Sequence, residues 1–416
     1  MNATNISLPL NTDTKWPFEK VPVYDDGTCS CNIAMENWGA ANENTSWVLG
    51  IADTTANAFA AYLDKVRFAG FSTIQRANWQ GVISYQCYKE DVSFYIYFTP
   101  SSHTVRIIVD NSKSVPLERF NYSYHAEEDE YNELYMFGLE TSTWTGSTGH
   151  FFFLKLADNS LFVIDGGNAD QPDIDEFLRI ARKATGTPQN QKIRIACWFI
   201  SHGHNDHTGG VDQILRTYSE QLILERIMYN FNKCGSPLNT CPLFRYDDIF
   251  PDVLYHVPRT GETIQFGNLT ADVLYTHEDL LDIHEMEYTS KSHNDSCTVL
   301  KLSFDGIHFM LSGDISKNAG AIIMNNCTTE QLKSDIFQIP HHGANNMPDF
   351  YECVDAKIAL IPTTPSKCRN NVLETVESTC DEWYSSDETV GIRAENGEAK
   401  VFCRFPGIFK YNKQQS

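Results

Sequence analysis

Three imidazoles and a carboxylate fall within the six residues His202-Gly203-His204-Asn205-Asp206-His207. Nitrogen and oxygen donors at this density suit a divalent transition metal; zinc is the default, and manganese or iron fits the same donor types. His202 and His204 stand two residues apart in what reads as extended chain, so their side chains face the same way. Asp206 and His207 are adjacent and are expected to diverge, so that one cation takes the first pair and a second cation the other. The whole chain holds 13 His, so this cluster is not a turn that happens to be rich in them. The chemistry would be metal-assisted hydrolysis. Two cations lower the pKa of a bridging water to near neutrality and supply hydroxide as the nucleophile. No Ser or Cys nucleophile is then needed, and no Gly-x-Ser-x-Gly elbow offers one.

The elements around the motif look built to present it. An apolar run, Ile193 to Ile200, reads as a buried strand; Thr208-Gly209-Gly210 follows, and a helical pattern starts at Val211. Upstream, His150 to Leu156 and Ser160 to Ile164 read as a hairpin turning at Asp158-Asn159, and a helix is expected over 173–184 with Gly186 beyond its end. Later strands are expected at 222–228, 271–275, 297–304, 308–311, 336–339 and 357–361. Three further strand ends carry polar residues: Asp165-Gly166-Gly167, Ser312-Gly313-Asp314 and Pro340-His341-His342-Gly343. Each alone would be an ordinary turn after a buried strand.

In that order, however, the four motifs resemble the signature of the metallo-β-lactamase superfamily, from about Gly149 to near Phe405. The resemblance implies an α/β (α+β) fold, an αββα sandwich. It also implies two divalent metal ions held by His202, His204, Asp206, His207, Asp314 and His342, with Asp314 bridging. Asp165 would stand behind the ligands and hold an imidazole in its tautomer, with Asn294 in a similar supporting place. Asp206 would position its metal and handle a proton, and His341 would touch substrate or protonate the leaving group. Many members carry another His before the bridging Asp. Here that region holds His277, His284 and His293, none in the usual context, so His293, His277 or no extra His completes the first site. Asn294-x-Ser296, Gly313-Asp314 and His341-His342-Gly343 together are similar to the branch containing the competence-type DNA-uptake hydrolase domain and the phosphorylcholine esterases. That branch makes a phosphoester, above all a phosphodiester, the expected substrate. A lactone, thioester or amide hydrolase on the same binuclear site is the alternative, as is a metal-containing binding module without catalysis.

Residues 1–135 lie outside the resemblance and read as an accessory α+β module, leaving 136–416 for the hydrolase domain. The module shows an amphipathic helix, Thr54 to Gly70, and strands at 81–88, 92–98 and 104–109. Ala126 to Glu133 reads as a solvated acidic linker at the boundary. A formal charge of -22 opposes polyanionic partners at long range and weakens a nucleic-acid role without excluding it; a small-molecule or phosphoester substrate is expected instead. Met1 to Leu10 lack the pattern of an export signal, and no apolar run reaches the roughly 20 residues of a membrane span, so a cytoplasmic protein with no membrane partner is expected. The 12 Cys then read as free thiols. Two loops, 230–258 and 278–292, are placed to border the site. Tyr229, Phe231, Phe244 and Tyr246 read mainly as local packing, and Tyr229-Asn230 as a candidate substrate contact.

Overall fold

The computed structural model describes residues 18–36, 45–110, 114–124, 131–138, 149–231, 245–282 and 294–406. Alternation of apolar side chains decides how its sheets stack. In Phe151–Lys155, Phe152 and Leu154 face one core while Phe151 and Phe153 face another; Leu161–Asp165 repeats this with Phe162 and Ile164 against Leu161 and Val163. Strands apolar on both faces must be covered on both.

The first sheet has nine strands, in the order Leu254–His256, Arg226–Tyr229, Ile193–Ile200, Leu161–Asp165, Phe151–Lys155, Glu133–Met136, Glu388–Glu395 and Glu398–Pro406, with Leu222–Leu224 also paired to Ile193–Ile200. The second has seven: Thr263–Phe266, Leu269–Tyr275, Val299–Phe304, Ile307–Leu311, Ile336–Gln338, Ile358–Ile361 and Glu382–Ser385. Their inner faces meet in one core, where Phe152, Phe162 and Phe199 oppose Phe266, Leu302 and Phe309. Helices Gln171–Thr185 and Asn205–Thr217 cover the first sheet's outer face through Phe177, Val211 and Ile214. Lys317–Asn326, Pro348–Val354 and Asn370–Thr379 cover the second through Ile323, Phe350 and Val376. This is the expected αββα sandwich. Among the described residues no helix is long and apolar enough to cross a membrane.

Ahead of it lies a six-stranded antiparallel sheet, Thr28–Glu36, Thr45–Ala52, Thr104–Asp110, Val92–Thr99, Val82–Lys89 and Ser72–Trp79 in spatial order. Helix Ala56–Phe68, capped by Thr55, lays Phe59, Tyr62, Leu63 and Val66 on one face of it. The expected three-strand meander is part of this larger sheet. Leu117, Phe120 and Tyr122 already belong to the sandwich core, so packing changes from module to sandwich ahead of the acidic stretch. Residues 126–130 of that stretch lie outside the described residues. The expectation of a solvated linker is corrected for Asn132 and Glu133, which are buried. Glu133 opens a strand paired on both sides, and Asn132 donates through its backbone N–H (2.7 Å) and Nδ2 (3.0 Å) to the Asp305 carboxylate. Local polarity does not reveal those partners.

The described cysteines are free thiols, Cys29 and Cys31 included; Cys234 and Cys241 lie outside the described residues.

Candidate metal centre

The polar strand ends meet at one rim of the sandwich. Leu161–Asp165 and Ile193–Ile200 run parallel in the first sheet, and Ile307–Leu311 and Ile336–Gln338 run parallel in the second. Their carboxyl ends therefore deliver Asp165, His202, Asp314 and His342 to the same edge. The helix after His204 begins at Asn205 rather than at Val211. This overturns the expected divergence of Asp206 and His207. On the first turn of a helix, neighbours are only about 100° apart, so both side chains reach one cavity.

That early start depends on close backbone approach. Gly210 packs on Gly166, whose carbonyl oxygen would lie 2.2 Å from a Cβ built on Gly210. Gly166 N–H donates to the His207 carbonyl (2.6 Å) and Gly210 N–H to the Gly167 carbonyl (3.2 Å). Gly210→Ala is expected to push the helix start off the sheet and cost about 1–3 kcal/mol in urea unfolding. An unchanged midpoint would show that the helix start is not tightly docked.

Potential ligand atoms gather in three sets, each with all its atoms within 4.8 Å of one another: His202, His204 and Asp314, and Asp206, His207 and His342, which make up the candidate centre, and His150, Asp165 and His207 behind them. Asp314 stands between the first two. Its Oδ1 is 3.2 Å from His207 Nε2, and its Oδ2 is 3.5 Å from His342 Nε2 and 3.8 Å from His202 Nε2. Gln338, which the sequence did not single out, sets the turn that carries Asp314. Its amide oxygen accepts from Ser312 N–H (2.9 Å) and Gly313 N–H (2.7 Å), and its Nε2 donates to the Gly313 carbonyl (3.1 Å).

The tautomers of two imidazoles follow from their partners. His342 Nδ1 lies 2.9 Å from the Pro362 carbonyl, which only accepts, so Nδ1 carries the hydrogen. His207 Nδ1 donates in the same way to Asp165 Oδ2 at 2.7 Å. Both Nε2 lone pairs then point inward and face each other at 3.2 Å, with Asp206 Oδ2 3.1 Å from His342 Nε2. Lone pairs and carboxylates converging in this way repel unless a proton or a cation lies among them. Asp314 Oδ1 is buried and has no hydrogen bond among the described residues, although His207 Nε2 is near. The distance suits a hydrogen bond and the alignment does not, as expected of groups aimed at a common point. The residues fit a divalent metal.

Electrostatics agrees. Burial opposes charge on His207, but Asp314 and Asp165 outweigh it and push the imidazole up to about 10. His342 is raised well above its ordinary value against the same burial, chiefly by Asp314 and Asp206. Without metal the two imidazoles hold protons. An imidazole raised on folding stabilises fully below its unfolded value, about 6.5, and that stabilisation fades as pH climbs through the folded value. Metal-free protein should therefore lose thermal stability between about pH 6.5 and about 10. Zinc competes with those protons for the same lone pairs, so its stabilising increment should grow over the same window. Parallel melting curves would contradict this.

His341, His342 and Gly343 are three successive left-handed residues, with φ of 51°, 52° and 73°. For the two His this conformation costs on the order of 1–3 kcal/mol each. Gly343 is required, since a Cβ there would meet Cys368 Sγ at 2.4 Å. The turn sends His342 inward and leaves His341 one-third exposed, its Nε2 4.0 Å from Asp314 Oδ2. Asn294 Nδ2 lies 3.2 Å from His341 Nε2, so Asn294 touches His341. Asp165 is the hub behind the site, accepting from Ser201 N–H (2.7 Å), Ser201 Oγ (2.7 Å) and His207 Nδ1 (2.7 Å).

The region between the motifs supplies no further His to either set among the described residues. His277 is fully buried with its Nε2 3.2 Å from Glu278 Oε1, outside both sets, and His284 and His293 lie outside the described residues. The expected substrate contact at Tyr229-Asn230 is corrected. Tyr229 packs in the outer core with Phe231 and Tyr246, and Asn230 Nδ2 is committed to the Pro258 carbonyl (2.8 Å) and Glu278 (3.0 Å). The end of a strand gave no warning of that buried pairing. Phe244 and most of both expected loops lie outside the described residues.

No protein-family profile and no curated protein matches the chain. Solved structures similar to it include the metallo-β-lactamase fold protein YhfI from Bacillus subtilis, at 11% identity over 61% of this chain and 95% of that one, with a TM-score of 0.39. A diphosphatase of the PhnP family is 14% identical over 66% of this chain and 99% of its own, with a TM-score of 0.32. The short form of human tRNase Z is 12% identical over 55% and 90%, with a TM-score of 0.29.

Proposed function

We propose that the chain is a metal-dependent hydrolase with two divalent cations, zinc by default, and that a phosphodiester is its preferred substrate. The observation that carries this reading is the pair of donor sets sharing Asp314 as a common wall. His202, His204 and Asp314 would hold one cation; Asp206, His207, His342 and Asp314 the other. Bound there, the pair supplies Lewis acidity and an activated water, a combination suited to in-line displacement at phosphorus.

The chain's own residues set up the rest. Asp165 and the Pro362 carbonyl keep a hydrogen on each Nδ1, so that Nε2 is the nitrogen each ring would offer to a cation once its proton has left. Asp206 sits within 3.1 Å of His342 Nε2 and supplies negative charge to its set. His341, on the open side, donates a proton to the leaving oxygen, with Asn294 steadying its ring. Fully buried His202, His207 and Asp165 keep bulk water away from the back of the site. The formal charge of -22 opposes a polyanion more strongly than a small phosphoester, and the free thiols among the described residues fit a reducing cytoplasm.

The test is a substrate panel with zinc- or manganese-loaded protein: bis(p-nitrophenyl) phosphate, a phosphomonoester, a lactone and a thioester. Turnover of the diester, abolished by a chelator, is expected. Turnover of the lactone or thioester alone would overturn the substrate. Activity untouched by Asp206→Ala would overturn the site.

A further inference from the structure

We infer that His150 is a positioning residue: it braces Asp165, and through Asp165 the His207 imidazole, in the orientation that the Asp206, His207 and His342 set requires. The inference rests on the metal reading above. His150 is fully buried at the start of the strand Phe151–Lys155, and neither that reading nor the motif pattern uses it. Its Nδ1 lies 2.8 Å from Asp165 Oδ2, the same oxygen that accepts from His207 Nδ1 at 2.7 Å. The approach of His150 is off the line of an ideal hydrogen bond, yet close enough to restrain that oxygen. The two imidazoles also stack, with ring centroids 4.8 Å apart and planes inclined by 13°. The tilt of His207 is thereby limited by a parallel ring on one side and by a shared acceptor at its edge.

The backbone of His150 locks the same two turns. Its N–H donates to the Asp206 carbonyl (2.8 Å), and its carbonyl accepts from Gly167 N–H (3.0 Å). These bonds survive a side-chain replacement, so substitution isolates what the imidazole does. A plain packing role is the competing explanation, since the ring also lies 4.6 Å from Phe152. The two accounts separate cleanly. Packing is satisfied by an apolar side chain of similar size; positioning needs a donor toward Asp165, which Asn can offer where the Nδ1 of His stood.

The experiment is zinc titration of metal-free protein against a chromophoric chelator, for wild type, His150→Leu and His150→Asn, with the melting curve of each metal-free variant recorded. Wild type should bind two ions. His150→Leu should weaken one of them by about 10- to 100-fold and leave the other unchanged, the range seen when residues behind metal ligands are removed. His150→Asn should recover most of that loss. In an Asp165→Asn background the His150→Leu effect should vanish, because the route through Asp165 is already broken. Two unchanged affinities in His150→Leu, or a His150→Asn as weak as His150→Leu, would overturn the inference. Should His150→Leu fail to fold, the comparison of His150→Asn with wild type decides: near-equal affinity supports positioning, and loss of one ion overturns it. Wild type that binds two ions without cleaving any phosphodiester sinks the proposed substrate alone. Wild type that binds no zinc sinks both.

Discussion

Asp314→Ala is expected to lower phosphodiester turnover by about 10³-fold or more, the largest single effect on activity. At about 1.4 kcal/mol per factor of ten, this asks the carboxylate for roughly 4 kcal/mol, within reach of a group that anchors two cations. The expectation follows from position. Its carboxylate lies within 4 Å of His202, His207, His341 and His342. Burial alone would push its carboxyl up, yet His342 and His207 hold it well below the usual carboxylate range, so it remains an anion inside the protein. Asp314→Asn keeps the shape and removes the charge. It should lose nearly as much activity, zinc titration should show both ions weakened, and metal-free protein should lose part of its stability near neutral pH, because His207 and His342 lose the charge that chiefly raises them. If only one ion weakened, Asp314 would belong to one set rather than stand between two.

The largest expected effect on stability lies elsewhere. Arg259→Met should destabilise the protein by about 3–5 kcal/mol, the cost of leaving a buried ion pair with one partner. Arg259 is buried where the module meets the sandwich, with Nη2 donating to Asp110 at 2.8 Å and Nη1 to Glu278. Its guanidinium also sits over Tyr95, 5.6 Å from the ring centroid. Beside it, Arg106 Nη2 donates to the Asp279 carbonyl at 3.2 Å, and Tyr97 donates to the Asp279 carboxylate at 3.0 Å. Burial would raise Glu278, but Arg259, helped by His277, holds it below its ordinary value. A depressed carboxylate stabilises above its unfolded value, about 4.3, and that stabilisation is lost as pH falls through the folded value. The Arg259→Met deficit in urea should therefore shrink as pH falls, first as the unpaired Glu278 of the variant takes up a proton above its ordinary value, then below about pH 4 as Glu278 of the wild type does. Adding Glu278→Gln and Asp110→Asn should recover much of the loss, because no uncompensated charge remains. A deficit independent of pH would point to lost packing instead.

Legibility followed the range of the interactions. His202 to His207 was readable because rare donor types crowd six positions, and Asp314 and His342 because short polar motifs end apolar runs. The strands Phe151–Lys155, Leu161–Asp165 and Ile307–Leu311 were readable because apolar runs bounded by turn residues are local signals. The start of the helix at Asn205 was not. Asn205 to Gly210 has poor intrinsic helix propensity, and what stabilises it there is contact with Gly166, more than 30 residues away in sequence. His150 looked like one more residue at the head of an apolar strand, because nothing in the sequence showed that its Nδ1 comes within 2.8 Å of the carboxylate that also takes the His207 hydrogen bond. Arg259 was invisible for the same reason: an arginine reads as solvated until Asp110, 149 positions distant, is found opposite it. The hairpin Glu388–Glu395 and Glu398–Pro406 carries exposed charge on an edge and offered little periodicity to read.

The most direct test is anomalous diffraction at the zinc edge from crystals grown with zinc. Two peaks are predicted on either side of Asp314, one within bonding distance of His202 and His204, the other of Asp206, His207 and His342. A map with no peak at this rim, or with zinc only at surface residues, would contradict the assignment of these residues to a metal centre.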